Sequence, residues 1–482
     1  MIQNRIRNQK GSLTKGPPAV ASTAIIGYIF ICLAALAIGA GKLLNLIVPA
    51  GAVALGLLFY LRYPIFYVNF ALWLFVLTPL LRRVADFQSS FTSPSPILLT
   101  PPLVTGISIL TLYKNLPKMN RQGAFPYILV FTALAYAFLL GIVLGDPQKV
   151  IKSGFQWICP VLFSFHLFSQ WRDYPLYRGA IERFYLWGVM VTGVYGILQY
   201  LLAPQWDRFW LIQSQLVSAG NPEPLGIRVW STMDGPFAFA MFILPGLLLL
   251  LSYRGVLSTP ASIAGYIALL LSRVRTSWIA LVISVMMLLF SLKSSLQIRL
   301  IAIVTVMVVL VIPLTNIPQF AAVIDSRLES LFSIQDDGSG VERAETYSLL
   351  IWQALSCWFG YGIGNRPDFG RPIDSAVLSM LFSYGWFGTI FYLGGVLLII
   401  YQLFKCPEIR SDPFISMARS FVISILIVMP LGNALQDTPG TAFWMFLGMG
   451  LAGRKYYLYK RLKKKFDRQE NGASLNSNLT PH

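Results

Sequence analysis

Apolar runs of about 20 residues recur along almost the whole chain, and no other feature restricts its fold as much. Wound as a helix, such a run matches the hydrocarbon thickness of a bilayer, where every backbone polar group must be satisfied within the segment. Fourteen runs can be marked, at about 20–40, 43–61, 65–81, 96–112, 124–145, 153–170, 181–202, 234–252, 258–271, 275–291, 299–315, 376–400, 414–430 and 438–453. Only 12% of the 482 residues are charged, against about 25% in a soluble domain. The expected fold is an all-α, polytopic integral membrane protein with about 12 to 14 transmembrane helices and a long extracytoplasmic loop late in the chain.

An even number of spans returns the C-terminus to the side of the N-terminus. With both tails cytoplasmic, the inside segments hold 25 Lys and Arg and the outside segments 13, which is the bias expected of cytoplasmic loops. Two features strain this orientation: Arg82-Arg83 falls outside, and the span at 96–112 contains Pro96, Pro101 and Pro102. No small-residue cleavage site follows a short apolar core, so the first span is expected to be retained. The net charge of +18 could suggest nucleic acid, but eight basic residues from Arg454 to Arg468 flank the last span, as in a segment drawn to an anionic leaflet. No nucleic-acid partner is expected, while membrane lipids are. Cys32, Cys159, Cys357 and Cys406 have no pair spacing or histidine company, so no metal site or cofactor is expected, and the first two read as buried.

The chain then divides into a basic tail (1–19), an N-terminal bundle (20–202), an outside loop (203–233), helices with an arginine turn (234–315), a large outside loop (316–375), C-terminal helices (376–453) and a basic tail (454–482). The large loop, Asn316 to Asp374, holds eight of the 20 acidic residues and four arginines. Connections that long are usually functional. In the first outside loop, Trp206, Trp210 and Trp230 read either as interfacial anchors or as a substrate surface.

Candidate chemistry gathers at three places. Arg273 and Arg275 lie in the short turn Ser272 to Trp278 at the outer surface, where forked donors suit a diphosphate, although snorkelling to headgroups is the plainer role. Glu342 to Ala354, with Arg343 and Trp352, reads as an amphipathic surface helix, ended by Gly360-Tyr-Gly-Ile-Gly364. These glycines suit a backbone turn with free amides, yet lack the Lys-Ser/Thr of a nucleotide loop. Arg366, Arg371 and Asp374 close the loop. Asp374 is placed to take a proton from a sugar hydroxyl, or, with Ser375, to cap the next helix.

Taken together, these stretches resemble the O-antigen ligase-like family of ligases and polysaccharide polymerases. Ser272 to Trp278 looks like the family's Ser-Arg-x-x-Trp element, with Arg275 at the arginine and Arg273 additional. Arg343, Trp352 and Gly360 to Gly364 stand in the places of its loop motifs, and Leu378, Leu381 and Gly385-Trp-Phe-Gly388 fit the element that comes after the loop. The resemblance covers roughly residues 230–400. One departure is that Asp374-Ser375 stands where ligases usually carry His-Asn.

The resemblance implies transfer or polymerisation of glycan units from an undecaprenyl-diphosphate-linked glycan donor to a glycan hydroxyl acceptor, on the extracytoplasmic side of a bacterial inner membrane, in surface or exported polysaccharide biosynthesis. The enzyme would be a metal-independent inverting glycosyltransferase with no cofactor. Asp374, Arg275 and Arg343 would be catalytic, and Arg273, Arg228, Arg366, Arg371, Trp278, Gly362 and Gly364 would bind substrate. The alternatives are a transport component for a small anion such as bicarbonate and a non-catalytic member of a polysaccharide assembly complex. Oligomeric state is not legible.

Overall fold

The structure is a computed structural model that describes residues 19–119, 123–253, 255–291, 297–298, 301–302, 305, 338–365, 373–405 and 412–477. In chain order its helices are α1 (Ala19–Ala37), α2 (Gly41–Arg62), α3 (Pro64–Gln88), α4 (Thr100–Gly106), α5 (Ile109–Asn115), α6 (Phe125–Leu144), α7 (Pro147–Ser169), α8 (Tyr174–Leu202), α9 (Gln205–Ser214), α10 (Pro236–Ser252), α11 (Ser258–Leu271), α12 (Arg275–Ser291), α13 (Gly338–Leu355), α14 (Ala376–Phe404), α15 (Pro413–Val428) and α16 (Asp437–Ser477). Among the described residues there is no sheet, only an isolated bridge between Gly220 and Ile227.

Eight helical segments are long and apolar enough to cross a membrane, and α10, α11 and α12 are shorter apolar helices. This is an all-α, polytopic membrane protein. The expected helices at 153–170 and 438–453 are present as α7 and α16 but are not among the eight. The expected span at 299–315 lies mostly outside the described residues. The last helix runs on to Ser477, well into the expected basic tail. Cys32 and Cys159 are buried and unbridged.

The proline-rich span departs from a regular helix. Pro101 and Pro102 open α4 where missing N–H groups cost nothing, and the chain breaks again between Gly106 and Ile109. Buried Tyr67 of α3 reaches across, donating to the Val104 carbonyl (2.8 Å) and meeting Ser108 Oγ (2.9 Å). Backbone freed by a break must find such partners in an apolar interior.

Two helix pairs carry much of the packing, α6 with α14 and α7 with α16. At Gly448 of α16 an added Cβ would fall 2.4 Å from the Ser164 carbonyl, so the helices approach as closely as small interface residues allow. Trp157, Tyr384, Tyr392 and Trp444 fill the centre, with Trp444 Nε1 donating to Tyr392 (2.9 Å).

One end of the bundle gathers the connections that bear on function. There the tip of α3, the chain from Asp207 to Asp234, the α11–α12 turn, the start of α14 and the α15–α16 connection bond to one another. Arg83 Nε stands 2.9 Å from Asp207 Oδ1, with side chains 1% and 0% exposed. Arg83 also donates to the Ser231 and Met233 carbonyls, and Asp207 accepts from Tyr195 and Gln199. Arg82 pairs with Asp86 at 3.0 Å. The arginine pair that strained the sequence-based orientation is therefore compensated by carboxylates.

Trp210 and Trp230 overturn both expectations for the first outside loop. Both are buried, with ring centroids 5.4 Å apart, in a small apolar cluster beneath Arg83. They are neither interfacial anchors nor a substrate surface, because the loop folds back over them. Trp206, partly exposed, donates to Tyr195.

Candidate functional site

A cavity of about 350 Å³ opens at this end of the bundle. Its polar wall comes from Ser153 and Gln156 of α7, Asp374, Ser379 and Ser383 of α14 and its lead-in, and Asn433 and Gln436 of the α15–α16 connection; Trp157, Gly364 and Ile373 complete it. Asp374 and Gly364, both expected at the site, thus share one cavity. The capping role falls to Ser375, whose Oγ accepts from the Leu378 N–H (3.3 Å). Asp374, exposed and one residue earlier, faces the cavity.

The segment Gly360 to Gly364 packs where α14 is broken. Gly385 has φ 62° and ψ −175°, so helical bonding lapses there. The Phe382 and Ser383 carbonyls instead accept from the N–H groups of Tyr361 (2.7 Å) and Gly362 (3.1 Å), and Ile363 donates to Ala137 of α6 (2.9 Å). The three glycines of the motif have φ between 76° and 86°, a region that side chains disfavour. The Gly362 amide is therefore occupied by protein, while Gly364 reaches the cavity wall.

The α11–α12 turn is built by Arg228. Its guanidinium donates to the carbonyls of Ser218 (2.6 Å), Ser272 (3.3 Å) and Arg273 (3.2 Å). Arg273 takes a left-handed φ of 54°, and although the residue is only half-buried its Nε is buried with no hydrogen-bond partner. Arg275 opens α12, and Trp278 Nε1 reaches back to the Leu269 carbonyl (3.5 Å).

The short connection from Met429 to Gly432 keys these pieces together. Its carbonyls accept from Thr276 (Leu431, 3.4 Å), from the Ala376 N–H (Gly432, 3.2 Å) and from Tyr347 of α13 (Pro430, 2.8 Å), and Tyr347 also meets Ser375 Oγ. Arg275 and Asp374 are thereby tied, through their chain neighbours, to one connection. Arg343 lies one turn before Tyr347 on α13, although its side chain lies outside the described set. Arg366 and Arg371 fall outside the described residues. Helix α13 packs Leu350 and Ala354 onto α14 and leaves Leu349 and Trp352 exposed.

Sequence reasoning missed a second carboxylate group behind the cavity. Asp437 Oδ2 accepts from Gln156 Nε2 at 3.0 Å, and Asp234 lies close enough to repel it. Both are outside the eight spanning segments, open to water yet ringed by protein, as groups deep in a cleft are. Loss of hydration, then Asp234, pushes the Asp437 carboxyl up to about 7, against the pull of Gln156 and Lys152. The same desolvation raises Asp234, with Arg83 and Arg82 opposing. A carboxylate at the mouth of the last span was the available signal, but helix starts carry such residues routinely.

This has a consequence for stability. The folded state binds the Asp437 proton more tightly than the unfolded chain, whose carboxyl titrates near 3.8. Its contribution is therefore present below about pH 4 and is lost as pH rises through about 7. Asp437→Asn is expected to flatten that slope and to raise the melting temperature at pH 8. Melting the purified protein between pH 5 and pH 8 checks this; an unchanged slope would refute it.

Among the described residues no three His, Cys, Asp or Glu side chains cluster as metal ligands. No curated protein matches the chain. Over residues 260–393, which include the arginine turn, α13, the glycine segment, Asp374 and the first part of α14, the chain matches the model of the O-antigen ligase family, and that stretch carries its family-level likeness to these proteins.

Proposed function

We propose that the protein transfers or polymerises glycan units from an undecaprenyl-diphosphate carrier at the extracytoplasmic face of the membrane, with both termini cytoplasmic. The observation that carries this reading is the cavity holding Asp374 at the end of the bundle where the Arg273–Arg275 turn lies, Asp374 and that turn both falling in the family-matched stretch. An acceptor hydroxyl oxygen attacks the anomeric carbon of the donor and its proton passes to the Asp374 carboxylate. The bond from that carbon to the phosphate oxygen breaks, and the electron pair leaves with the diphosphate, held by Arg273, Arg275 and Arg343. Attack opposite the leaving group inverts the anomeric centre, and no metal is required. General-base assistance contributes about 10²–10⁴-fold, and a donor aimed at developing charge about 10²–10³-fold.

The test is deletion of the gene in its host, followed by sizing of surface and exported polysaccharide and assay of lipid-diphosphate-linked intermediates. The expected result is short or missing polymer with accumulated intermediate, restored by the wild-type chain but not by Asp374→Ala or Arg275→Ala at equal membrane level. Unchanged polysaccharide with altered uptake of a small anion would move the protein to transport.

A further inference from the structure

Two buried polar atoms in the cavity wall have no protein partner. Ser379, 3% exposed, leaves its Oγ without a hydrogen bond, and Asn433 leaves its Oδ1 likewise. Orphaned polar atoms are uncommon in native interiors, and each asks for an explanation. Here both residues line one cavity, together with Gln156 and Asp374. Ser379 lies one helical turn inside the Ser375 cap and Ser383 one turn further, so α14 presents hydroxyls in a row along the cavity.

The size and charge of the space narrow what fits. At about 350 Å³ it is near the lower end of the roughly 300–1,000 Å³ usual for ligand sites, so it suits a single ring better than an oligomer. Among the described residues no Lys or Arg lines it, while Asp374 does. Behind the wall, Asp437 hangs on Gln156 and faces Asp234. Lys152, exposed on α7, opposes part of the Asp437 charge, and Arg82 and Arg83, which oppose Asp234, are paired with Asp86 and Asp207.

We propose that this cavity is a recognition subsite for one neutral, hydroxyl-rich sugar ring, read by Ser379 and Asn433, and that it rejects rings bearing a carboxylate. The inference rests on the glycan-transfer reading in one respect: the ring is the acceptor's, because it offers its hydroxyl to Asp374. The donor's diphosphate is assigned to the arginine turn, which is bonded to the same end of the bundle through Thr276 and the Leu431 carbonyl. Hydroxyls and amides that must be paired on burial also discriminate against analogues lacking the partner group.

The test uses the full-length protein in lipid nanodiscs and saturation-transfer NMR with methyl glucoside, galactoside and mannoside, each against its uronate. At least one neutral ring is expected to bind, with its uronate at least about tenfold weaker, as like charges placed together disfavour a wrong partner strongly. Ser379→Ala is expected to weaken the neutral ring about fivefold, one net hydrogen bond, and Asp374→Asn to narrow the gap to the uronate. The inference is overturned if no neutral ring binds, if uronates bind equally well, or if Ser379→Ala leaves binding unchanged. Polymer lost on gene deletion without this discrimination would remove the subsite alone. Ring binding at Ser379 with unchanged polysaccharide would instead remove the transfer reading and leave the subsite.

Discussion

Arg83→Ala is expected to destabilise the protein by about 3–5 kcal/mol, because removing one partner of a buried pair leaves the other charge uncompensated. Asp207 is fully buried and would keep only Tyr195 and Gln199 as donors. The Ser231 and Met233 carbonyls would lose their guanidinium at the same time. Gln199 also holds the Trp230 and Ser231 amides (3.0 and 2.8 Å), so loosening it would free the chain that carries Asp234. Thermal melting followed by size-exclusion retention in detergent reads this loss. The double change Arg83→Met with Asp207→Asn should recover much of it, since no lone buried charge remains. Equal melting of the single and double variants would show that the ion pair is not what holds this end together.

Gly362→Ala is expected to be comparably severe, about 4 kcal/mol or more, although it adds one methyl group. Its φ of 86° is unfavourable for alanine, and the new Cβ would stand 2.2 Å from Gly141 N and 2.4 Å from Gly141 Cα. Both obstacles are backbone, so relief requires α6 or the glycine segment to move, and strain of this kind falls in the rare large tail of substitutions. Movement of the segment would shift Gly364 and so the cavity wall, and the proposed glycan transfer should fall with the melting temperature. Gly394→Ala, with nothing within 4 Å of the added carbon, is the control expected to change neither. A wild-type melting temperature for Gly362→Ala would mean that the segment is not packed as described.

What could be read along the chain was what local chemistry controls. Apolar length marked the helices to within a few residues for most spans, as at α12, whose expected and observed limits coincide. A break was foreseeable from Pro96, Pro101 and Pro102, and Asp374 and Gly364, singled out as candidates in the sequence, line one cavity. The partners could not. Gln156 meets Asp437 across 281 positions and Arg83 meets Ser231 across 148, and no local pattern encodes such distances. The glycine motif was visible, but its use was not: the amides of Tyr361 and Gly362 are taken by carbonyls that only the break at Gly385 releases.

The amino-acid sequence alone thus determined a helical membrane body, because burying backbone in an apolar phase leaves little but helices. Tertiary structure alone decided which polar groups of that end are consumed in holding it together and which are left facing the cavity. Hydrogen bonds and ion pairs between distant segments are assigned only when packing brings their atoms within about 3 Å, and Asp374, Ser379 and Asn433 are the cavity-lining groups on which the proposed chemistry rests.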